Sequence, residues 1–315
     1  MFTSGGTEAN NLALHQAKAR NDITHLIISD GEHDSIYTAA NYVRKPVLKW
    51  PLLPSGLADL EALKALLAQV EGRAFVALML VNNETGIIQP VAEAAKIVHA
   101  AGGWLHVDAV QAAGKINIDF SALSADSLTL TAHKIGGPVG VGALAYNSDH
   151  TIVPMITGGG QEQGLRAGTE NVAGLAAFGT AALTVQPCER VLSQQAAVEA
   201  ALKALGARII GEDVPRVPGI TCLAVPDWSS QLQLIHMDMA GICVSSGSAC
   251  SSGKVKQSRI LNAMGLENLS GGVLRISTGW SSQPADWTRF FEVWSGGYQT
   301  FRARQSTKLN IKEQA

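Results

Sequence analysis

Phe75-Val-Ala-Leu-Met-Leu-Val81 is an unbroken apolar run, and Trp104-Leu-His-Val-Asp108 is a second one that closes on an acid. Between them, Val91-Ala-Glu-Ala-Ala-Lys-Ile-Val-His-Ala-Ala101 spaces its apolar residues as a helix does. A strand with one wet face alternates apolar and polar residues. These two runs do not alternate, which places them inside a sheet covered on both sides, with the helix as a crossover between parallel strands. The same reading extends outward. Residues 23–29, 127–131 and 141–146 read as further strands, and residues 7–20, 35–43 and 57–70 as helices. The fold class is α/β, with a mostly parallel sheet in a large domain over residues 1–186. Gln186-Pro187 breaks the pattern after an Ala-rich apolar stretch. Beyond it come a helix at 191–205, strands at 208–211 and 219–225, a helix at 231–239, a short helix at 257–264, a strand at 273–278 and a terminal helix from about 283. That mixture reads as a smaller α+β domain over residues 187–315.

Composition narrows the function classes. The chain has 315 residues, 46% of them hydrophobic, enough for a large core. A net charge of −2 with 16% charged residues leaves no basic field for nucleic acid. The longest apolar stretch, 172–185, is interrupted by Gly174 and Gly179 and falls short of the roughly 20 residues a membrane span requires. Of the four cysteines, Cys188, Cys222, Cys243 and Cys250, none forms a C-x-x-C pair or a zinc pattern. A reducing compartment, the cytoplasm, is the expectation. Cys222 and Cys243 lie in apolar, strand-like runs and read as packing. Cys250 differs. It lies in Ser245-Ser-Gly-Ser-Ala-Cys-Ser-Ser-Gly253, among small polar residues only. A surface loop that happens to carry a thiol fits this stretch, and so does a thiol that moves to a substrate and reacts.

In open α/β sheets, ligands sit beyond the carboxyl ends of the strands. Asp108 ends a buried strand, where a carboxylate is costly without a cationic partner such as a protonated pyridine nitrogen; a helix cap is the alternative. Gln111 follows on the same side. Thr131, His133 and Lys134 follow the next strand, before a glycine-rich turn. A lysine there suits a Schiff base, its amine freed by desolvation, with hydroxyl and imidazole beside it for a phosphate; a surface lysine in a turn is the alternative. Gly5-Gly6-Thr7 runs into a helix as an anion cradle or an ordinary cap. His33, after Glu32, could stack on a ring and relay protons, or cap a helix. Asn82 and Asn83 offer amides after another buried strand. The glycine-rich stretch 158–171 embeds Arg166, Thr169 and Asn171, more than a linker usually carries. Arg275, inside a β-run, suits a bidentate clamp on a carboxylate.

Seven motifs in this order resemble the cysteine desulfurases, within the class V aminotransferase family of pyridoxal-phosphate enzymes of fold type I. They are Thr-Ser-Gly-Gly-Thr-Glu, Glu-His, Asn-Asn-Glu-Thr-Gly, Asp-Ala-Val-Gln, Ala-His-Lys, Arg-Ala-Gly-Thr-Glu-Asn and Ser-Gly-Ser-Ala-Cys-Ser-Ser. The last is similar to the group with a longer cysteine loop that serves iron–sulfur assembly and tRNA thiolation. The resemblance implies a seven-stranded sheet and pyridoxal 5'-phosphate held on Lys134. Asp108 would pair with the ring nitrogen, Gln111 and Asn83 would bond the ring oxygen side, and His33 would stack on the ring as acid/base. Gly6, Thr7, Thr131 and His133 would hold the phosphate, with Thr169 reaching in from the second subunit of a homodimer. Asn83 and Arg275 would hold the carboxylate of L-cysteine, and Cys250 would take its sulfur as a persulfide, leaving L-alanine. The acceptor would be a protein such as an iron–sulfur scaffold. No resident metal is implied, Cys250 meeting an iron–sulfur cluster at most transiently. An aminotransferase or β-lyase of the same family, and an inactive shortened member acting as partner or scaffold, stand as alternatives. Three departures accompany the resemblance: the family's segment before Thr3 is lacking, Val139 stands where a lysine is usual, and Trp280 follows Thr-Gly where Gly-Arg is usual.

Overall fold

Leu26, Ile27 and Ile28 are completely buried although adjacent, and so are Phe75, Val76 and Ala77. Neighbouring side chains on a strand point to opposite faces, so both faces of this sheet are covered. A computed structural model describes residues 1–187, 189–247 and 257–313. It divides into two compact units, Met1–Asn83 with Ile87–Gln186, and Glu84–Gly86 with Pro187–Ala315.

The first unit carries strands β1 (Phe2–Thr3), β2 (Ile23–Ser29), β3 (Val47–Trp50), β4 (Arg73–Met79), β5 (Trp104–Asp108), β6 (Ser127–Thr131) and β7 (Gly142–Tyr146). Its helices are α1 (Gly6–Ala19), α2 (Asp34–Tyr37), α3 (Leu60–Leu67), α4 (Val91–Ala100), α5 (Phe120–Leu123) and α6 (Val172–Thr184). The strands form one seven-stranded sheet in the order β1-β7-β6-β5-β4-β2-β3. The pairs β3–β2, β2–β4, β4–β5 and β5–β6 are parallel; β6–β7 and β7–β1 are antiparallel. Ala9, Leu12, Ala13 and Ala17 of α1 pack with Leu26, Ile28, Phe75 and Trp104, each such large side chain contributing about 1.5–3 kcal/mol when fully buried.

Two helical readings are corrected. Helix α3 is shorter than 57–70, because the Asp59 carboxylate accepts the Glu61 and Ala62 amides and so starts the helix at Leu60. The stretch 35–43 breaks into α2 and a tighter 3₁₀ turn, Ala39–Tyr42. At β7, a side chain on Gly142 would place its Cβ 2.5 Å from the Gly5 carbonyl carbon, so only glycine lets β7 approach the entry to α1.

The second unit contains β8 (Arg208–Ile209), β9 (Ile220–Ala224), β10 (Ser245–Ser246) and β11 (Val273–Ser277), an antiparallel sheet in the order β10-β11-β9-β8. Helices α7 (Leu192–Ala204), α8 (Ser230–Met239), α9 (Arg259–Ala263) and α10 (Pro284–Glu313) accompany it. Its core is aromatic: Trp228 lies 5.5 Å from Trp294 and 5.7 Å from Tyr298, ring centre to ring centre. The Trp294 indole donates to Gln233 Oε1 at 2.9 Å, which lets so polar a ring be fully buried.

Candidate active site

Parallel register sends the carboxyl ends of β2, β4, β5 and β6 to one edge of the sheet. His33 follows β2, Asn82 and Asn83 follow β4, Asp108 closes β5 and Thr131 closes β6. Strand order reverses between β2 and β4, the topology that opens a crevice at such an edge.

Asp108 is only 4% exposed. Its Oδ1 accepts the Val110 amide at 3.0 Å and its Oδ2 the Asn10 side-chain amide at 2.7 Å. Burial pushes its carboxyl above the ordinary value, against the pull of these two donors and of the charges on His33 and Lys134. Asn10 is buried on α1; its second N–H goes to Ser35 Oγ at 2.8 Å and its Oδ1 lies 3.1 Å from His106 Nε2. Ser35, in the first turn of α2, donates its amide to His33 Nδ1 at 3.1 Å, and its hydroxyl lies 2.9 Å from the same nitrogen. The buried His106 is pushed down to about 3 by desolvation, so its imidazole is neutral, and its Nδ1 lies 2.8 Å from Ser127 Oγ.

The first turn of α1 lies against the ends of β5 and β6. A Cβ on Gly6 would be 3.1 Å from Val110 Cγ2 and 3.7 Å from Thr131 Cβ. Thr131 donates its hydroxyl to Val141 O at 3.0 Å, so His133 Nδ1, also 3.0 Å from that hydroxyl, carries a proton toward it. Burial, then the charge of Lys134, lowers the His133 pKa. The buried Thr129 hydroxyl, on the residue paired with Asp108, has no hydrogen-bond partner among the described residues. Glu8 of α1 binds Arg166 with both oxygens, Oε1 to Nε at 2.8 Å and Oε2 to Nη2 at 3.1 Å, and Oε2 also accepts the Ser4 amide at 2.9 Å. Burial raises the Glu8 pKa, but the bonds from Arg166 and Ser4 outweigh it and hold the carboxyl below its ordinary value. This pair ties the glycine-rich stretch 158–171 to the first turn of α1.

Other expected residues take more open positions. Gln111 and Asn83 are half-buried; Thr7, His33, His133 and Thr169 are exposed. Lys134 is exposed as well, which corrects the expectation of a lysine desolvated by protein. The 3₁₀ turn Ala132–Lys134 carries it out from the end of β6, so the desolvated group of this site is Asp108.

In the second unit, Arg275 of β11 is half-buried, with Nε donating to Ser277 Oγ at 3.1 Å and Nη2 to Ser245 Oγ at 3.4 Å. Burial lowers its pKa, opposed by Glu84 and Cys222. Glu84 Oε2 accepts the Ser258 hydroxyl at 2.6 Å, and a Cβ on Gly247 would lie 2.8 Å from that oxygen. Cys222 is buried, as expected, and burial pushes its thiol up. Cys243 is exposed, correcting its reading as packing: it precedes β10 in an irregular stretch rather than a strand. Cys250 and Cys188 lie outside the described residues.

The family model for aminotransferase class-V matches residues 1–290. The chain belongs to the class V aminotransferase family. It is 36% identical over 303 residues to a cysteine desulfurase of Cereibacter sphaeroides, covering 93% of this chain and 78% of that one. It is 34% identical to cysteine desulfurase IscS 1 of Archaeoglobus fulgidus, covering 96% of this chain and 82% of the relative. The structure of a NifS-like protein from Rickettsia africae superposes with a TM-score of 0.86 at 36% identity, covering 95% of this chain and 81% of that chain.

Asn10, Ser35, His106 and Glu84 escaped the sequence reading. A signal was present for Asn10: an amide inside a helix, three and seven residues before the buried Ala13 and Ala17, sits on the inner face.

Proposed function

We propose that this class V member is a pyridoxal-phosphate cysteine desulfurase that converts L-cysteine to L-alanine. The observation that carries this reading is the buried Asp108. Its two neutral donors leave the carboxyl raised, so a cation is what would hold it ionised, and a protonated pyridine nitrogen is a cation of the right shape. The Gly6 turn packed on Val110 and Thr131, with His133 beside it, fits the remainder of the same cofactor. When bound, the cofactor supplies an electron sink for bonds at the substrate's α-carbon.

Lys134 Nζ would hold the cofactor aldehyde and move the proton at the substrate's α-carbon. Asp108 Oδ would hold the ring nitrogen's proton in place, with Gln111 and Asn83 on the ring oxygen. Gly6, Thr7, Thr131 and His133 would bind the phosphate, and Thr169 would reach the phosphate of a second copy. A homodimer is supported by α6, which leaves Val172 71% and Leu183 90% exposed along an Ala-rich face. Arg275 and Asn83 would bind the substrate carboxylate. The Cys250 thiolate then attacks the cysteine sulfur: one S–S bond forms, one C–S bond breaks, the carbon skeleton leaves as alanine after protonation, and Cys250 is left as a persulfide. One sulfur atom is transferred and no external oxidant is consumed. A protein thiol or iron–sulfur scaffold is the proposed acceptor, and the reducing cytoplasm the compartment.

The test is to supply L-cysteine and a reductant and measure alanine and sulfide. Wild type gives both in equal amounts, while Cys250→Ser retains the cofactor's visible band and loses both products. Pyruvate in place of alanine, or sulfide release unchanged in Cys250→Ser, would establish a lyase instead. Cofactor uptake without any product would point to a partner subunit.

A further inference from the structure

One amide joins the two residues that face the proposed cofactor ring. We propose that Asn10, locked by His106, is a positioning residue that donates to Asp108 and turns the Ser35 hydroxyl hydrogen onto His33 Nδ1, supporting the Ser35 backbone amide in leaving the His33 proton on Nε2. What Asp108 faces rests on the cofactor reading above; the hydrogen-bond directions do not.

A backbone N–H only donates, so the 3.1 Å contact from Ser35 N makes His33 Nδ1 an acceptor. The Ser35 hydroxyl then donates to that nitrogen and accepts from Asn10, which puts Nδ2 on the Ser35 and Asp108 side, 2.7 Å from Asp108 Oδ2. The second N–H of that amide meets Ser35 Oγ at 2.8 Å, which leaves Oδ1 facing His106 Nε2 at 3.1 Å. That nitrogen must therefore carry a proton. His106 Nδ1 then accepts, and the Ser127 hydroxyl 2.8 Å away supplies the hydrogen. The Trp104 indole, a donor only, meets Ser127 Oγ at 3.4 Å and closes this end. Reversing any link sets two donors or two acceptors face to face in a region where Asn10, His106 and Ser127 are all at most 1% exposed. Water therefore has no ready access to satisfy a flipped amide.

The other branch starts at Ser35. Its oxygen accepts from Asn10, so its hydrogen is available to His33 Nδ1 at 2.9 Å. The Ser35 backbone N–H meets the same nitrogen at 3.1 Å, and a backbone amide never accepts there. His33 Nδ1 is an acceptor, and any proton His33 gives or takes passes through Nε2. A single buried amide thus donates to the acid and, through the Ser35 hydroxyl, supports the backbone amide that fixes the base's working atom.

The experiment is ¹⁵N NMR of the imidazoles in the full chain, first without cofactor and then with pyridoxal phosphate, joined to equilibrium binding of pyridoxal phosphate by absorbance. His106 and His33 are expected as Nε2–H tautomers at pH 7.5 in both states. Asn10→Ala removes the His106 acceptor and the Ser35 donor, so the His106 signals shift toward a mixture of tautomers, the His33 Nδ1 resonance moves, and the pyridoxal phosphate Kd rises about tenfold or more. His106→Gln, whose amide donates from a similar position, restores binding that His106→Leu loses. A wild-type His106 found as the Nδ1–H tautomer, or an Asn10→Ala chain with unchanged His106 and His33 signals and unchanged Kd, overturns the proposal. The wild-type spectrum decides this even if a variant fails to fold. A wild type that shows the expected tautomers and takes up no pyridoxal phosphate sinks the cofactor reading and leaves the hydrogen-bond assignment standing.

Discussion

Replacing His106 with Gln should flatten the acid limb of the protein's stability curve. An ordinary histidine in an unfolded chain titrates near 6.5, whereas burial pushes His106 in the folded protein down to about 3. At pH 8 the imidazole is neutral in both states. At pH 5 it is largely protonated when unfolded and still neutral when folded, so the unfolded chain binds more protons and stability falls with pH. His106 therefore contributes stability that is complete above pH 6.5 and is lost progressively as pH falls toward 3. Integrating this one group from pH 8 to pH 5 gives a loss of about 2 kcal/mol. Glutamine offers an amide N–H in place of Nε2–H and does not titrate. Urea unfolding at pH 8, 7, 6 and 5, on wild type and His106→Gln, measures the difference directly. The variant is expected to be less stable at pH 8, yet to lose about 2 kcal/mol less than wild type on the way to pH 5. Parallel curves would refute the reasoning, since they would mean that His106 is protonated in the folded state or solvated there.

Three further substitutions probe the frame of the site. Gly142→Ala forces a Cβ to within 2.5–2.8 Å of three Gly5 backbone atoms, which cannot yield as a flexible side chain would. It should cost about 1–3 kcal/mol by thermal unfolding and weaken pyridoxal phosphate binding, because the start of α1 must move; a stable variant with normal binding would show that this approach is slack. Glu84→Gln and Ser258→Ala should each lower stability by about 1–3 kcal/mol. In a double-mutant cycle the pair should cost clearly less than the sum; strict additivity would mean that their 2.6 Å hydrogen bond carries no coupling.

The buried centre of the sheet was legible because doubly covered strands are rich in apolar residues: β2 and β5 match the bounds their composition implies, and β6, an alternating Ser-Leu-Thr-Leu-Thr, matches its expected bounds as well. The edges were not. β1 and β10 hold two residues each, too few for any period to register, and β3 mixes Lys49 with apolar neighbours at the sheet margin. The site divides similarly. Asp108 announces itself as an acid ending an apolar strand, whereas His106, two residues earlier, reads as one more member of that strand. Its role depends on Asn10 and Ser127, which no local pattern links to it. Lys134 was located by its motif, but the expectation of desolvation failed because solvent access is a property of the turn around it.

Glu84, Thr85 and Gly86 belong to the second unit while their neighbours on either side belong to the first. The Gly86 carbonyl accepts the Val217 amide at 2.9 Å, and its Cα approaches Ile220 so closely that a Cβ would sit 3.1 Å away. On the ribosome this tripeptide emerges long before its companions, and must wait for them. A segment excised at residue 187 would lack it, leaving the Ser258 hydroxyl and the Val217 amide to find water instead. The C-terminal unit is therefore not an autonomous folding body in its own stretch of chain, and expressing it alone should yield a destabilised fragment rather than a domain.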